Sequence, residues 1–146
     1  MDISTLSYDK SDADRRKRVS VRVLIVEDDA LIAMELAAIV EEMGCTVVGP
    51  AGQLARALGL ADASAFDAAL LDLNLGGQSG EKVAAVVAGR GIPFAFVTAY
   101  WPALQEGPFA GRPVVRKPFQ PADIQTCLRA LVPEKESPAW VSEGRD

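Results

Sequence analysis

Apolar positions along this chain fall into short β-branched runs that alternate with stretches of helical spacing. The first run, Val21-Arg22-Val23-Leu24-Ile25-Val26, has the length and content of a strand buried on both faces. Over residues 30–43, Ile32, Leu36, Ile39 and Met43 recur at helical spacing, and Gly44 supplies a stop. Residues 45–49 predict a second strand. Leu54, Leu58 and Ala61 mark a second helix. Ala68-Ala69-Leu70-Leu71 is a third strand that runs into Asp72. Ser79-Gly80 opens a helix carrying Val83, Val86 and Val87. Phe94-Ala95-Phe96-Val97 follows Pro93 as a fourth strand, and Pro113-Val114-Val115 is a short fifth. Pro121 suits the first turn of a last helix with Ile124, Leu128 and Leu131 on one face. Between residues 99 and 112, Pro102, Gly107, Pro108 and Gly111 leave room only for a short or irregular fourth helix.

Five strands alternating with helices predict an α/β protein. Its core would be a doubly wound, five-stranded parallel sheet with right-handed crossovers and helices on both faces. Residues 1–18 are polar, and the run Asp12-Ala13-Asp14-Arg15-Arg16-Lys17-Arg18 has no apolar face, so a flexible arm is expected there. Residues 19–133 would form the one domain that a 146-residue chain accommodates. Residues 134–146 carry Pro138, many charges and Trp140, and read as a flexible tail.

Composition narrows the chemistry. The chain has no histidine, which removes Ser-His-Asp and Cys-His catalysis, His metal ligands and any phosphohistidine carried on this chain. What remains is carboxylates, lysine, hydroxyls and a hard metal. Cys45 and Cys127 lie far apart without metal-type spacing and read as reduced thiols of a cytoplasmic protein. A net charge of −5 gives no general attraction to nucleic acid or to an anionic membrane, so neither is an expected partner. No apolar run is long enough to span a bilayer, and the N-terminus has no apolar signal core.

In an open parallel sheet, ligands bind at the carboxyl ends of the strands. Strand one ends in Glu27-Asp28-Asp29, strand three in Asp72 with Leu73-Asn74 beyond it, strand four in Thr98, and strand five in Arg116-Lys117-Pro118. The acidic triplet alone would also suit a helix N-terminus. It does not account for an Asp, a Thr and a Lys at three further strand ends. Gathered acids repel one another, and a hard divalent cation relieves that repulsion. Mg²⁺ takes one or two carboxylates and keeps waters or phosphate oxygens. Glu27, Asp28 and Asp72 are the candidate carboxylates, with the backbone carbonyl of Asn74 as a fourth ligand. Asp72 can act as a nucleophile toward phosphorus. Lys117 and Thr98 can bind phosphoryl oxygens, since this chemistry runs on positioning and charge neutralisation. A cis Lys117-Pro118 bond would aim the ammonium inward. Gly76, Gly77 and Gly80 predict a flexible loop, and no Gly-Lys-Ser/Thr follows to make it a phosphate-binding loop.

Leu24-Ile25-Val26-Glu27-Asp28-Asp29, Leu70-Leu71-Asp72-Leu73-Asn74, Phe96-Val97-Thr98 and Lys117-Pro118-Phe119 occur in the order and spacing of a known family. Over about residues 20–133 the chain resembles the receiver domains of bacterial two-component response regulators. The resemblance implies a flavodoxin-like (βα)5 fold with strand order 2-1-3-4-5. It implies Asp72 as phosphoacceptor, Mg²⁺ on Glu27 and Asp28, Thr98 as switch hydroxyl, Lys117 as phosphate-binding lysine, and a cis bond before Pro118. It also implies a sensor histidine kinase or histidine phosphotransfer protein as phosphoryl donor. Two positions depart from the common pattern. Val114 stands where most receivers carry an aromatic, and Leu75-Gly76 replaces the usual Met-Pro.

Residues 93–101 instead resemble an alphaproteobacterial receiver subfamily with a Phe-Ala-Thr-Gly-hydrophobic-Tyr signature, an altered fourth helix and no strand-five aromatic. That likeness makes Tyr100 and Trp101 the expected moving parts. Fewer than fifteen residues follow the last helix, so a stand-alone receiver is expected. It would be read by a downstream protein or serve as a phosphate sink. Two other classes fit less well. An aspartyl-nucleophile phosphohydrolase wants a general acid at position 74, where Asn has no proton to give. A non-phosphorylated pseudo-receiver would not need every one of these positions filled.

Overall fold

The structure is a computed structural model in which residues 20–133 are described. The expected N-terminal arm, the C-terminal tail, the basic run and Trp140 lie outside the described residues. Strand β1 (Arg22–Val26) is buried from Val23 onward. Helix α1 (Ala30–Glu42) starts at Asp29, whose carboxylate accepts from the amides of Leu31 and Ile32 at 3.0 and 3.1 Å. Asp29 is therefore a helix cap, which separates it from Glu27 and Asp28. Strand β2 (Thr46–Ala51) leads to α2 (Leu54–Ala63), and β3 (Ala68–Leu71) stops one residue short of Asp72.

The stretch after Asp72 corrects an expectation. A paired antiparallel ribbon stands where a flexible loop was expected: β4 (Asn74–Leu75) against β5 (Gln78–Ser79). Gly76 and Gly77 turn it with φ of 60° and 90°, the left-handed values that a two-residue hairpin turn requires. Helix α3 (Glu81–Gly89), β6 (Phe94–Thr98), β7 (Val114–Arg116) and α4 (Pro121–Leu131) complete the chain.

The main sheet is parallel, in the order β2-β1-β3-β6-β7. With the ribbon strands set aside this is the expected 2-1-3-4-5. Strand residues alternate between two cores. Val23, Ile25, Leu70 and Val97 pack with Leu36, Ile39, Ile124 and Leu128 of α1 and α4. Leu24, Val26, Leu71, Phe94 and Phe96 pack with Ala57, Ala61, Val83 and Val87 of α2 and α3. The expected short fourth helix is one 3-10 turn, Trp101–Leu104. Leu104 is buried, and the Phe109 ring meets Phe94 and Phe96 edge-on at 6.0 and 5.7 Å, so two side chains cover the sheet where a helix would.

Candidate functional site

Parallel pairing continues one residue past the strands and sets two carboxylates side by side. The Asp72 N–H donates to the Val26 carbonyl at 3.0 Å, and the Glu27 N–H to the Ala51 carbonyl at 2.9 Å. Glu27 and Asp72 are buried, at 2% and 4% exposure respectively, while Asp28 is exposed. One carboxylate oxygen from each of Glu27, Asp28 and Asp72 lies within 4.8 Å of the others. Just past β7, the Lys117 N–H donates to the Thr98 carbonyl at 3.1 Å, and the Lys117-Pro118 bond is cis. The Lys117 ammonium reaches inward to Asp72 Oδ2 at 2.9 Å and Glu27 Oε1 at 2.6 Å.

The two lysine contacts differ. The one to Asp72 is a hydrogen bond. The one to Glu27 is a close ion pair off the angle of a hydrogen bond, so buried Oε1 has no aligned donor, whereas Oε2 accepts from the Asp29 amide at 3.0 Å. Burial pushes the Glu27 carboxyl above its ordinary pKa, against the pull of Lys117. Burial alone would lower the lysine, but Glu27 and Asp72 outweigh it and hold Lys117 above its ordinary value. Three carboxylates against one ammonium leave a surplus of negative charge. That surplus fits a hard divalent cation held by Glu27, Asp28 and Asp72.

The backbone around the acids is tight. Asp28 Oδ2 accepts from the Gly76 amide at 2.9 Å, which ties the ribbon turn to β1. The Asn74 amide donates to Asp72 Oδ1 at 3.3 Å, and the Asn74 side chain accepts from Gly77 at 2.8 Å. A Cβ at Gly80 would collide with the Asp72 carbonyl oxygen, although the Gly80 backbone is ordinary right-handed. Close approach is what demands glycine there. Sequence reasoning missed Gly76 and Gly80 as site residues; the only signal was their spacing after Asp72.

Thr98 is fully buried at the end of β6, and its Oγ1 accepts from the Tyr100 amide at 3.0 Å; among the described residues it makes no hydrogen bond to Asp72. Tyr100 is exposed. Trp101 is half-buried under the Arg116 guanidinium, 3.7 Å from its ring centroid. Val114 is half-buried against the α2–α3 core. A second cis bond, Gly49-Pro50, was not foreseen. Burial pushes the Cys127 thiol up to about 11, so it stays protonated.

The model of the response regulator receiver domain matches residues 23–129. The phyllosphere-induced regulator PhyR of Methylorubrum extorquens is 34% identical over 117 residues, covering 75% of this chain and 43% of that protein. The transcriptional regulatory protein PdtaR of Mycobacterium tuberculosis is 37% identical over 91 residues, covering 62% of this chain and 43% of that protein. The chain thus spans less than half the length of these curated relatives. The solution structure of the Erythrobacter litoralis PhyR receiver domain superposes with a TM-score of 0.72 at 31% identity, covering 82% of this chain and 95% of that domain.

Proposed function

The chain belongs to the response regulator receiver domain family, and from that premise we propose that it is a phosphorylation switch whose acceptor is Asp72. The observation that carries this reading is the buried cluster of Glu27, Asp72 and Lys117 at the carboxyl end of the sheet, with Asp28 beside it. The donor is the phosphohistidine of a sensor histidine kinase or a histidine phosphotransfer protein. A carboxylate oxygen of Asp72 forms the new P–O bond as the P–N bond breaks, and the electron pair leaves with the imidazole.

Glu27, Asp28, Asp72 and the Asn74 carbonyl would hold Mg²⁺, which would supply charge neutralisation at the acceptor. Lys117 then trades part of its contact with Asp72 for a phosphoryl oxygen. Thr98, whose oxygen accepts from Tyr100, keeps its own proton to donate to another. The Tyr100–Trp101 turn moves with that hydroxyl, as the subfamily with the Phe-Ala-Thr-Gly-hydrophobic-Tyr signature would have it. Val114 replaces the inward aromatic of the common switch.

The protein is a regulator rather than a classical enzyme, and its only turnover is gain and loss of its own phosphoryl group. The receiver unit is residues 19–133, acting in the cytoplasm and read by a protein partner or used as a phosphate sink. Among the described residues, no helix is long and apolar enough to cross a membrane. Phos-tag electrophoresis after acetyl phosphate and Mg²⁺ tests the reading. Wild type is expected to shift and Asp72→Asn to stay unshifted; equal labelling of the two contradicts it.

A further inference from the structure

The segment after Thr98 is tied down at its two ends by contacts of different kinds. At the far end, Leu104 is buried and Phe109 packs on Phe94 and Phe96. At the near end the ties are polar. The Tyr100 amide donates to Thr98 Oγ1 at 3.0 Å, and exposed Arg116 stacks its guanidinium 3.7 Å from the Trp101 ring centroid. Arg116 pairs with Thr98 across β6 and β7 and immediately precedes Lys117. One side chain thus reaches from the strand that presents the lysine to the turn that leaves the hydroxyl.

We propose that Arg116 is a positioning residue of the switch, holding the Tyr100–Trp101 turn in its resting place by its stack on Trp101. The inference rests on the reading of Asp72 as acceptor. Because Thr98 Oγ1 is bonded to the Tyr100 amide, a hydroxyl that turns toward a phosphoryl group on Asp72 draws Tyr100 and Trp101 with it. The Arg116 backbone is paired with Thr98 of β6 and does not move with the turn, so its side chain must stretch to keep the stack. Closure therefore loosens the stack, and the stack opposes closure. A surface cation–π pair is weak enough to bias such an equilibrium without locking it. The far end, with Leu104 buried and Phe109 packed on the sheet, stays in place, so the movement is confined to the first turn.

The test measures beryllofluoride affinity, as a phosphoryl mimic in Mg²⁺, by calorimetry on the full chain. Arg116→Met keeps the aliphatic stem and removes the charge. It should bind about two- to fivefold more tightly than wild type, with the thermal midpoint of the unliganded protein lowered by about 1–5 °C, because the lost contact belongs to the resting state. Trp101→Leu should give the same gain, and the double variant no more than either single one, because the two residues form one contact. Arg116→Lys, which keeps a cation but loses the planar stack, should fall between. In a Trp140→Phe background, the emission of Trp101 in unliganded Arg116→Met should already lie toward that of liganded wild type. Unchanged or weaker affinity in Arg116→Met, or gains that add in the double variant, overturn the proposal. Wild type that fails to bind beryllofluoride overturns the acceptor reading and this inference together. Wild type that binds, with variants that match it, overturns this inference alone.

Discussion

Burial raises the pKa of Glu27, and Lys117 is the counter-charge that opposes this. Its folded-state pKa is raised, so the stability it contributes is fully present below the ordinary value of 4.5 and is lost as pH rises through the raised value. Glu27→Gln cannot titrate and leaves the Asp72–Lys117 bond in place. In the absence of divalent metal, its stability should therefore gain on wild type as pH rises. Urea midpoints of the two proteins compared across that range check this; parallel curves would contradict it. Lys117→Ala removes the counter-charge and leaves two buried carboxylates facing each other. It should cost about 3 kcal/mol at neutral pH without metal, and less when Mg²⁺ is added. At this scale the sequence revealed the residue types but not their division of labour. Only the cap geometry shows that Asp29 serves the helix while its two neighbours serve the site.

The helices and the five main strands were legible because each carries a hydrophobic period or a short continuous apolar run. The ribbon was not, since two-residue strands carry no period; the Gly76-Gly77 pair between Leu75 and Gln78 was its only trace. Gly80 locks this element to the acceptor. Gly80→Ala should destabilise the protein and slow phosphorylation, because its methyl would drive against the Asp72 backbone. Gly59→Ala, in α2 with open space around it, should instead stabilise by about 0.5–1 kcal/mol. Denaturant unfolding of both variants checks the contrast, and two shifts of the same sign would count against it. Along residues 99–112 the proline and glycine positions showed that a long helix is impossible, but not what replaces it. Phe109→Ala removes the ring that covers Phe94 and Phe96. It should cost about 2 kcal/mol, below the range for a fully buried phenylalanine because Phe109 is half-buried. Faster proteolysis within residues 99–112 should accompany that loss.

For the whole molecule, the topology is what turns separate motifs into one site. Lys117 bonds Asp72 across 45 residues of chain because right-handed crossovers lay β1, β3, β6 and β7 next to one another with their carboxyl ends together. That convergence was readable from the alternation of strands and helices, and the four strand-end motifs were readable as types. The positions of Gly76, Gly80 and Arg116 were not, since each matters through a close approach that no local pattern encodes. The most direct test of the account is the mass of the intact chain after acetyl phosphate, with Mg²⁺ and with chelator, followed by borohydride reduction and peptide mapping. The expected result is a single added phosphoryl group that requires Mg²⁺ and maps to Asp72. Modification at another residue, or the same occupancy in chelator, would contradict it.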